Sequence, residues 1–311
     1  MSVQTGARAM ASGMVQPVLS QVRQRVGKQV VNLTPEFMGF GNQLYLWTWA
    51  HAHRSEPVPH RVLIVDRSRY WLPFFPAIHP YLIERSEMSF WDARGHFYAY
   101  KTEHSGDPRG FTDESRADFV RDWILTSPAL QGADSGALAR DDVLTLNLRR
   151  GDFYSNPWHR PDYAFDVESY ARLAVRRAIE QDGPVRRIHV VSDDRAWCRS
   201  HLGWLTSHAD EVTEPPPSAQ PIDHLRDVIS SRRLVIANGT FSLWAAAISR
   251  VLLGAPQHTV WAPAFFQRRY GPGRCVEYDQ DWSFVDELPD GWQPDWVLDG
   301  LDGDPARETS H

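Results

Sequence analysis

Short apolar runs alternate along this chain with segments whose apolar residues recur every three or four positions. Val30-Val31-Asn32-Leu33 reads as a buried strand, a turn follows at Gly39 and Gly41, and Leu44, Leu46, Trp47, Ala50 and His51 fall at helical spacings. Val62-Leu63-Ile64-Val65-Asp66 is the next short strand and completes one βαβ unit. From Tyr70 to His104, aromatics and prolines come without a clean period, which predicts irregular structure with one strand. Residues 113–131 read as helical, with Phe119, Trp123 and Ile124 apolar.

The stretch from Gln131 to Asp142 is small, polar and glycine-bearing, and it predicts a linker. A second series follows, with strands expected over Val143 to Leu148, Ile188 to Ser192 and Leu234 to Asn238. Helices are expected over Val167 to Gln181, Arg195 to Leu202, Leu225 to Ser231 and Ser242 to Leu253. Strands alternating with helices predict parallel sheets covered on both faces. Two such sheets predict a ligand in the crevice between domains, facing the carboxyl ends of the strands. The expected division is a leader segment over 1–29, an N-terminal domain over 30–135, a C-terminal domain over 140–285 and a tail over 286–311. Pro215-Pro216-Pro217 predicts a surface excursion, and the last dozen residues are expected to be disordered.

Composition narrows the class. With 311 residues, 42% of them hydrophobic and 23% charged, the chain is long enough for two domains. A net charge of −6 argues against a general nucleic-acid binder, so any phosphate must be met locally. Cys198 and Cys275 are the two cysteines, which indicates neither a disulfide framework nor a structural zinc site. Met1 to Gln29 lacks the apolar core of a signal peptide, and no stretch reaches the roughly 18 to 20 apolar residues of a membrane span. A cytoplasmic protein is expected, with at most peripheral contact at the inner face of the membrane. Such contact would use an amphipathic helix of Val15, Val18, Leu19, Val22 and Val26 with Arg23, Arg25 and Lys28; the alternative is a loosely docked leader helix.

Candidate chemistry collects at three strand ends. Asn147-Leu148-Arg149-Arg150-Gly151-Asp152 delivers two guanidinium groups and a carboxylate into a turn, a set suited to a diphosphate met without a metal. Neighbours on an extended segment point to opposite sides, so at most one arginine aims into a site; a strand-end salt bridge is the plainer reading. Ser192-Asp193-Asp194 offers carboxylates for a guanine or ribose, or helix caps. Asn238-Gly239-Thr240-Phe241-Ser242 leads a strand into a helix whose first N–H groups suit an anion, or it is an ordinary cap with Phe241 as a hydrophobic staple. Asp279-Gln280-Asp281 has the form of a metal-binding Asp-x-Asp but lies in a polar loop away from these segments. Among the 13 tryptophans and other aromatics, Trp71, Phe74, Phe75, Trp91 and Trp158 are candidates for stacking on sugar rings, or are core.

Together these segments resemble, in order and approximate spacing, the bacterial α-1,2-fucosyltransferases of glycosyltransferase family 11. The resemblance covers most of residues 30 to 285. Gly39 to Gln43 resembles the family's Gly-x-Gly-Asn-Gln turn, and Asn147 to Asp152 its His-x-Arg-Arg-x-Asp motif. Val191 to Cys198 and Ile236 to Trp244 resemble two further blocks; Asp223 matches a family aspartate, and Val260-Trp261-Ala262-Pro263 a closing strand. This sequence departs from the pattern at Asn147, which replaces a histidine, and at Tyr45, Gly239, Thr240 and Leu243. Asparagine cannot titrate, so no acid/base role falls to position 147.

The resemblance implies an α/β fold of GT-B type, two Rossmann-like domains with the active site in the cleft between them. It implies a GDP-fucose donor held mainly by the C-terminal domain and a galactoside acceptor held mainly by the N-terminal one, with no cofactor and no metal. Inverting transfer would rest on Arg149 as the group that stabilises the leaving diphosphate. Asp152 is the nominated general base, with Asp66 and Glu36 as rivals. Donor binding would involve Gly41, Asn42, Gln43, Asn147, Arg150, Asp193, Asp194, Asn238, Thr240, Phe241 and Ser242. The alternatives are a transferase for another GDP-sugar or acceptor, and a catalytically silent protein that binds a GDP-sugar or carbohydrate.

Overall fold

A computed structural model of the chain describes residues 19–23, 25–95, 111–254, 258–270 and 278–293. The chain divides between Ser127 and Pro128 into two compact units. The residues expected to form a linker, 131–142, belong to the second, where Arg226 Nη2 donates to Gln131 O at 3.1 Å.

The first unit is built on four strands: β1 (Val30–Asn32), β2 (His60–Leu63), β3 (Leu82–Ile83) and β4 (Ala93–Gly95). They form a sheet in the order β3-β2-β1-β4, every pair parallel. Helix α1 (Phe40–Ala52) joins β1 to β2 and is buried almost all round, with Leu44, Trp47 and Trp49 at most 1% exposed. Such a helix takes its stability from packing rather than from an amphipathic face. A short helix, α2 (Asp66–Arg69), leads into 3₁₀ turns through the aromatic and proline-rich stretch, whose described residues hold two strands where one was expected. The helix expected over 113–131 is α3 (Asp113–Phe119), capped by Thr112 Oγ1, and then a wider turn over Val120–Ile124. Pro128 cannot continue a helix, and the chain turns there.

The second unit holds β5 (Val143–Leu148), β6 (Arg187–Ser192), β7 (Glu211–Thr213), β8 (Arg233–Ile236), β9 (Thr259–Pro263) and β10 (Ser283–Val285). Their order is β10-β9-β8-β5-β6-β7, again wholly parallel. All six residues of β5 are buried, as a strand covered on both faces requires. The helices are α4 (Gly151–Ser155), α5 (Arg160–Tyr163), α6 (Val167–Asp182), α7 (Arg195–His201), α8 (Pro221–Ile229) and α9 (Thr240–Leu253).

Helix α6 starts at Asp166, whose carboxylate accepts from Ser169 N, and stops at Gly183 with φ of 88°. Its apolar stripe, Val167, Tyr170, Ala171, Ala174, Val175 and Ala178, packs into the core with β5, β6 and β8. Tyr170 Oη donates to Ile236 O at 2.5 Å and shares the same hydrogen with Trp261 O at 3.2 Å, tying this helix to β8 and β9; full burial raises the phenol's pKa. Helix α8 begins earlier than expected because Pro221 stands at its first position and the Asp223 carboxylate accepts from Gln220 N at 2.8 Å.

The proline loop is tied down by Arg195, which donates to the carbonyls of Pro215 and Pro216. Of the leader, Leu19–Arg23 and Arg25–Val26 are helical, and Arg23 Nε donates to Phe90 O at 2.9 Å. Val15, Val18, Cys275 and the last dozen residues lie outside the described residues. Among the described residues no helix is long and apolar enough to cross a membrane.

Candidate active site

From β5 the chain steps one way to β6 and β7, then returns on the other side of β5 as β8, β9 and β10. The strand order reverses between β5 and β8, and an open parallel sheet leaves a crevice at its carboxyl edge at such a point. Register pairs Asn147 with Val191 and with Ile236 on its two neighbours, so residues 149–152, 193–194 and 238–242 emerge side by side.

Arg149 stands at the centre of these segments. Its Nη1 lies 2.8 Å from Asp193 Oδ2, and its Nη2 donates to Asp152 Oδ1 at 2.5 Å, while 37% of the side chain stays exposed. The guanidinium carbon lies 5.3 Å from the centre of the Phe153 ring, and Tyr163 stacks on that ring at 4.4 Å and 17°.

Asp193 does two things with one carboxylate. Oδ1 accepts the N–H of Arg150 at 2.8 Å and of Gly151 at 3.2 Å, while Oδ2 pairs with Arg149. Gly151 is needed here: a Cβ on it would lie 2.3 Å from Asp193 Oδ2, well inside van der Waals contact. Asp194 points elsewhere, accepts from Trp197 N at 3.1 Å and caps α7.

Arg150 has different partners from Arg149, and it stands just past the strand, at the start of α4, where φ of −126° and ψ of −63° are no longer extended. It is 8% exposed, with its guanidinium carbon 3.9 Å from the centre of the Tyr154 ring and 4.0 Å from that of Trp197. Asp194 Oδ2 lies 3.5 Å from its Nε. A cation sandwiched between two rings and beside a carboxylate fastens α4 and α7 to the sheet. It does not face the crevice.

Asn147 and Ser242 are both buried and bonded to each other: Ser242 Oγ donates to Asn147 Oδ1 at 2.6 Å, and Asn147 Nδ2 donates to Val191 O at 3.1 Å. The amide joins β5, β6 and α9. Asn238 is 1% exposed, and its Nδ2 donates to Tyr163 O at 3.0 Å and Phe266 O at 2.8 Å, tying the end of α5 and the segment after β9 to the end of β8.

Helix α9 starts at Gly239, whose φ of 141° suits glycine, and no side chain caps it. Thr240, Phe241 and Ser242 supply its first three N–H groups, an arrangement whose orientation and dipole suit an anion. A Cβ on Gly239 would lie 3.8 Å from both Arg149 Cγ and Phe153 Cε2, which places this helix start beside the arginine.

Gly41, Asn42 and Gln43 lie in the first unit, in the first turn of α1 behind Gly39. Gln43 is 1% exposed; its Nε2 donates to Met38 O at 3.1 Å, and its Oε1 is buried with no partner among the described residues. Asn32, at the end of β1, is fully buried with both amide atoms in that same condition.

Of the rival bases, Asp66 has a 97% exposed side chain, and Glu36 is exposed beside Arg85 at 3.4 Å. In the Asp-x-Asp segment, Asp279 Oδ2 and Asp281 Oδ2 each take one nitrogen of Arg250 at 2.6 Å, a guanidinium clamp rather than an open ligand set. Trp71 and Phe75 are core, with Phe40 stacked on Trp71 at 3.7 Å, whereas Trp91 and Trp158 are 51% and 87% exposed.

Sequence reasoning passed over Gly151, Phe153 and Tyr163. A signal was there: Phe153 and Tyr154 follow Arg149 and Arg150 by four positions, a spacing that sets each ring under one guanidinium once the turn is helical.

The structure also resembles, distantly, an ADP-heptose lipopolysaccharide heptosyltransferase II from E. coli, at 10% identity and a TM-score of 0.43 over 91% of this chain and 100% of that one. It resembles the NodZ α-1,6-fucosyltransferase soaked with GDP-fucose at 12% identity and a TM-score of 0.39, over 71% of this chain and 92% of that one. Likenesses this low carry no argument, and the α/β assignment rests on the two parallel sheets themselves. A comparison with curated proteins finds no match. The model of Glycosyl transferase family 11 matches residues 111–251, a span that runs from α3 through β5, β6 and β8 to most of α9. The strand-end cluster therefore lies within the segment that matches Glycosyl transferase family 11.

Proposed function

We propose that the chain is an inverting glycosyltransferase that moves L-fucose from GDP-β-L-fucose to a galactoside hydroxyl of a glycan, in α-1,2 linkage. The observation that carries this reading is the meeting of Arg149 with the uncapped start of α9 at the β5/β8 reversal. A diphosphate leaving group gains negative charge as the glycosidic bond breaks. A planar, permanently charged fork beside a row of helix N–H groups is suited to that charge, and the reading needs no metal. The stacked Phe153–Tyr163 pair beside Arg149 offers a flat apolar wall for the nucleotide.

A β-linked leaving group displaced in a single in-line step gives an α-fucoside. The acceptor hydroxyl must lose a proton in that step. Asp152 stands nearest the arginine, with 43% of its side chain exposed, but it is bonded to Arg149 in the unliganded chain. In this reading the diphosphate takes Arg149 over and releases Asp152 to accept the proton. Acceptor recognition falls to the first unit, where Gln43 and Asn32 hold buried polar atoms near the start of α1 and the end of β1.

Calorimetry with GDP, GDP-fucose and GDP-mannose tests the donor side, and an acceptor-glycan array with GDP-fucose tests transfer. GDP binding with turnover of GDP-fucose is expected. Arg149→Ala should lose about 3 to 5 kcal/mol of transition-state stabilisation, the scale of charged-pair and oxyanion-donor losses, while keeping its fold. Near-normal turnover in that variant, or preference for another sugar nucleotide, would sink the assignment.

A further inference from the structure

The first unit holds a cluster that the proposed reaction does not use. His53, Glu56 and His60 lie on the connection from α1 to β2, and one ligand atom from each sits within 4.8 Å of the other two. We propose that these three residues form a binding site for a single divalent transition-metal ion, with zinc as the best fit to two imidazoles and a carboxylate.

The hydrogen-bond pattern supports this. His53 Nδ1 lies 2.8 Å from Trp49 O, and His60 Nδ1 lies 2.9 Å from Val58 O. A carbonyl oxygen only accepts, so each Nδ1 carries the hydrogen, and in the neutral ring the lone pair is on Nε2. Histidines that bind metals are commonly held in this way, by an outer hydrogen bond that sets the tautomer.

Both Nε2 atoms face the same carboxylate, at 3.8 Å from Glu56 Oε1 and 3.7 Å from Glu56 Oε2. An ion with bonds of about 2.0 to 2.2 Å to nitrogen and oxygen bridges ligand atoms at such separations.

The surroundings suit a cation as well. His53 is the residue that ends α1, and the carboxyl end of a 13-residue helix carries the negative pole of its dipole. The two imidazole side chains are 11% and 9% exposed, and Trp49 packs on each ring at 5.1 Å. Glu56, at 52% exposed, leaves a route in and room for water as a fourth ligand. The rings now stack at 4.3 Å and 17°, so capture requires each ring to tilt until the two Nε2 lone pairs converge, with the Nδ1–carbonyl hydrogen bonds setting the tautomer beforehand and lengthening as the rings move. An ion held there clips the end of α1 to the start of β2, and this holds whether or not the transferase reading does.

Zinc titration by calorimetry on the full chain, with thermal melting in parallel, tests the site. One zinc per chain at micromolar or tighter Kd is expected, with a raised Tm. Glu56→Gln, at an exposed position, should fold normally and weaken binding at least tenfold, and His60→Asn should abolish it. Cobalt should give the visible absorption of a four-coordinate site in the wild type and not in Glu56→Gln. No zinc binding, or equal affinity in the wild type and Glu56→Gln, overturns the proposal, and that comparison decides the matter even if His60→Asn does not fold.

Discussion

The carboxylate of Asp193 occupies the place where Gly151 would carry a side chain: a Cβ there would lie 2.3 Å from Oδ2, while Oδ1 takes the Gly151 N–H at 3.2 Å. One contact thus shapes the turn after β5 and, through Oδ2, aims Arg149.

Gly151→Ala should therefore act like a partial loss of Asp193. The methyl group forces the carboxylate aside, and overpacking of this kind costs about 1 to 3 kcal/mol. We expect a modestly lower Tm and a drop in kcat of at least tenfold, with Asp193→Ala giving the same pattern. If Gly151→Ala turns over normally, Asp193 does not position Arg149.

Asp152 is open to a sharper test. If it is the base, Asp152→Asn should bind GDP as well as the wild type or better, because a competitor for Arg149 is gone, and transfer should fall by about two to four orders of magnitude. Retention of most of the rate would make it a tether for Arg149 and nothing more. Calorimetry and initial rates on the same preparation separate the two.

Asn147 and Ser242 should matter for stability. Removing one partner of their 2.6 Å hydrogen bond leaves the other buried and unsatisfied, at a cost of about 1 to 3 kcal/mol. Ser242→Ala should lower the denaturation midpoint by that amount while leaving KM for the donor within about twofold. A large rise in KM with unchanged stability would return both residues to the donor site.

Below neutrality the chain should lose stability through His258. Burial, with Arg250 and Arg232 adding to it, lowers this imidazole to about 4 from an ordinary 6.5. The unfolded chain takes up the proton first, so the native state is favoured above 6.5 and loses about 3 kcal/mol as pH falls to about 4. Burial also lowers His51 and His224, which adds in the same direction. Urea denaturation across this range should show a shallower slope for His258→Gln than for the wild type, and equal slopes would contradict the assignment.

The alternation of strands and helices, the α/β make-up and the residue types at the three strand ends could be read directly from the sequence. Each rests on local chemistry: period, glycine at a turn, hydroxyl and amide residues at a helix start. Partnerships across the chain lay beyond that reach. Asn147 meets Ser242 from 95 positions away, and Asp193 meets Arg150 from 43, because β5 lies between β6 and β8. No local pattern sets strand order.

The same limit explains the two arginines. Alternation predicts that Arg149 and Arg150 diverge, but not which of them faces the crevice. Packing decided it: Trp197 of α7 comes to lie over Arg150, while Asp193 draws Arg149 towards the helix start at Gly239. The sequence determined which groups were present at each strand end. Which of them remain open to a ligand, and which are used in holding the strand ends together, was decided only when the sheet assembled and long-range contacts claimed Asn147, Arg150 and Ser242.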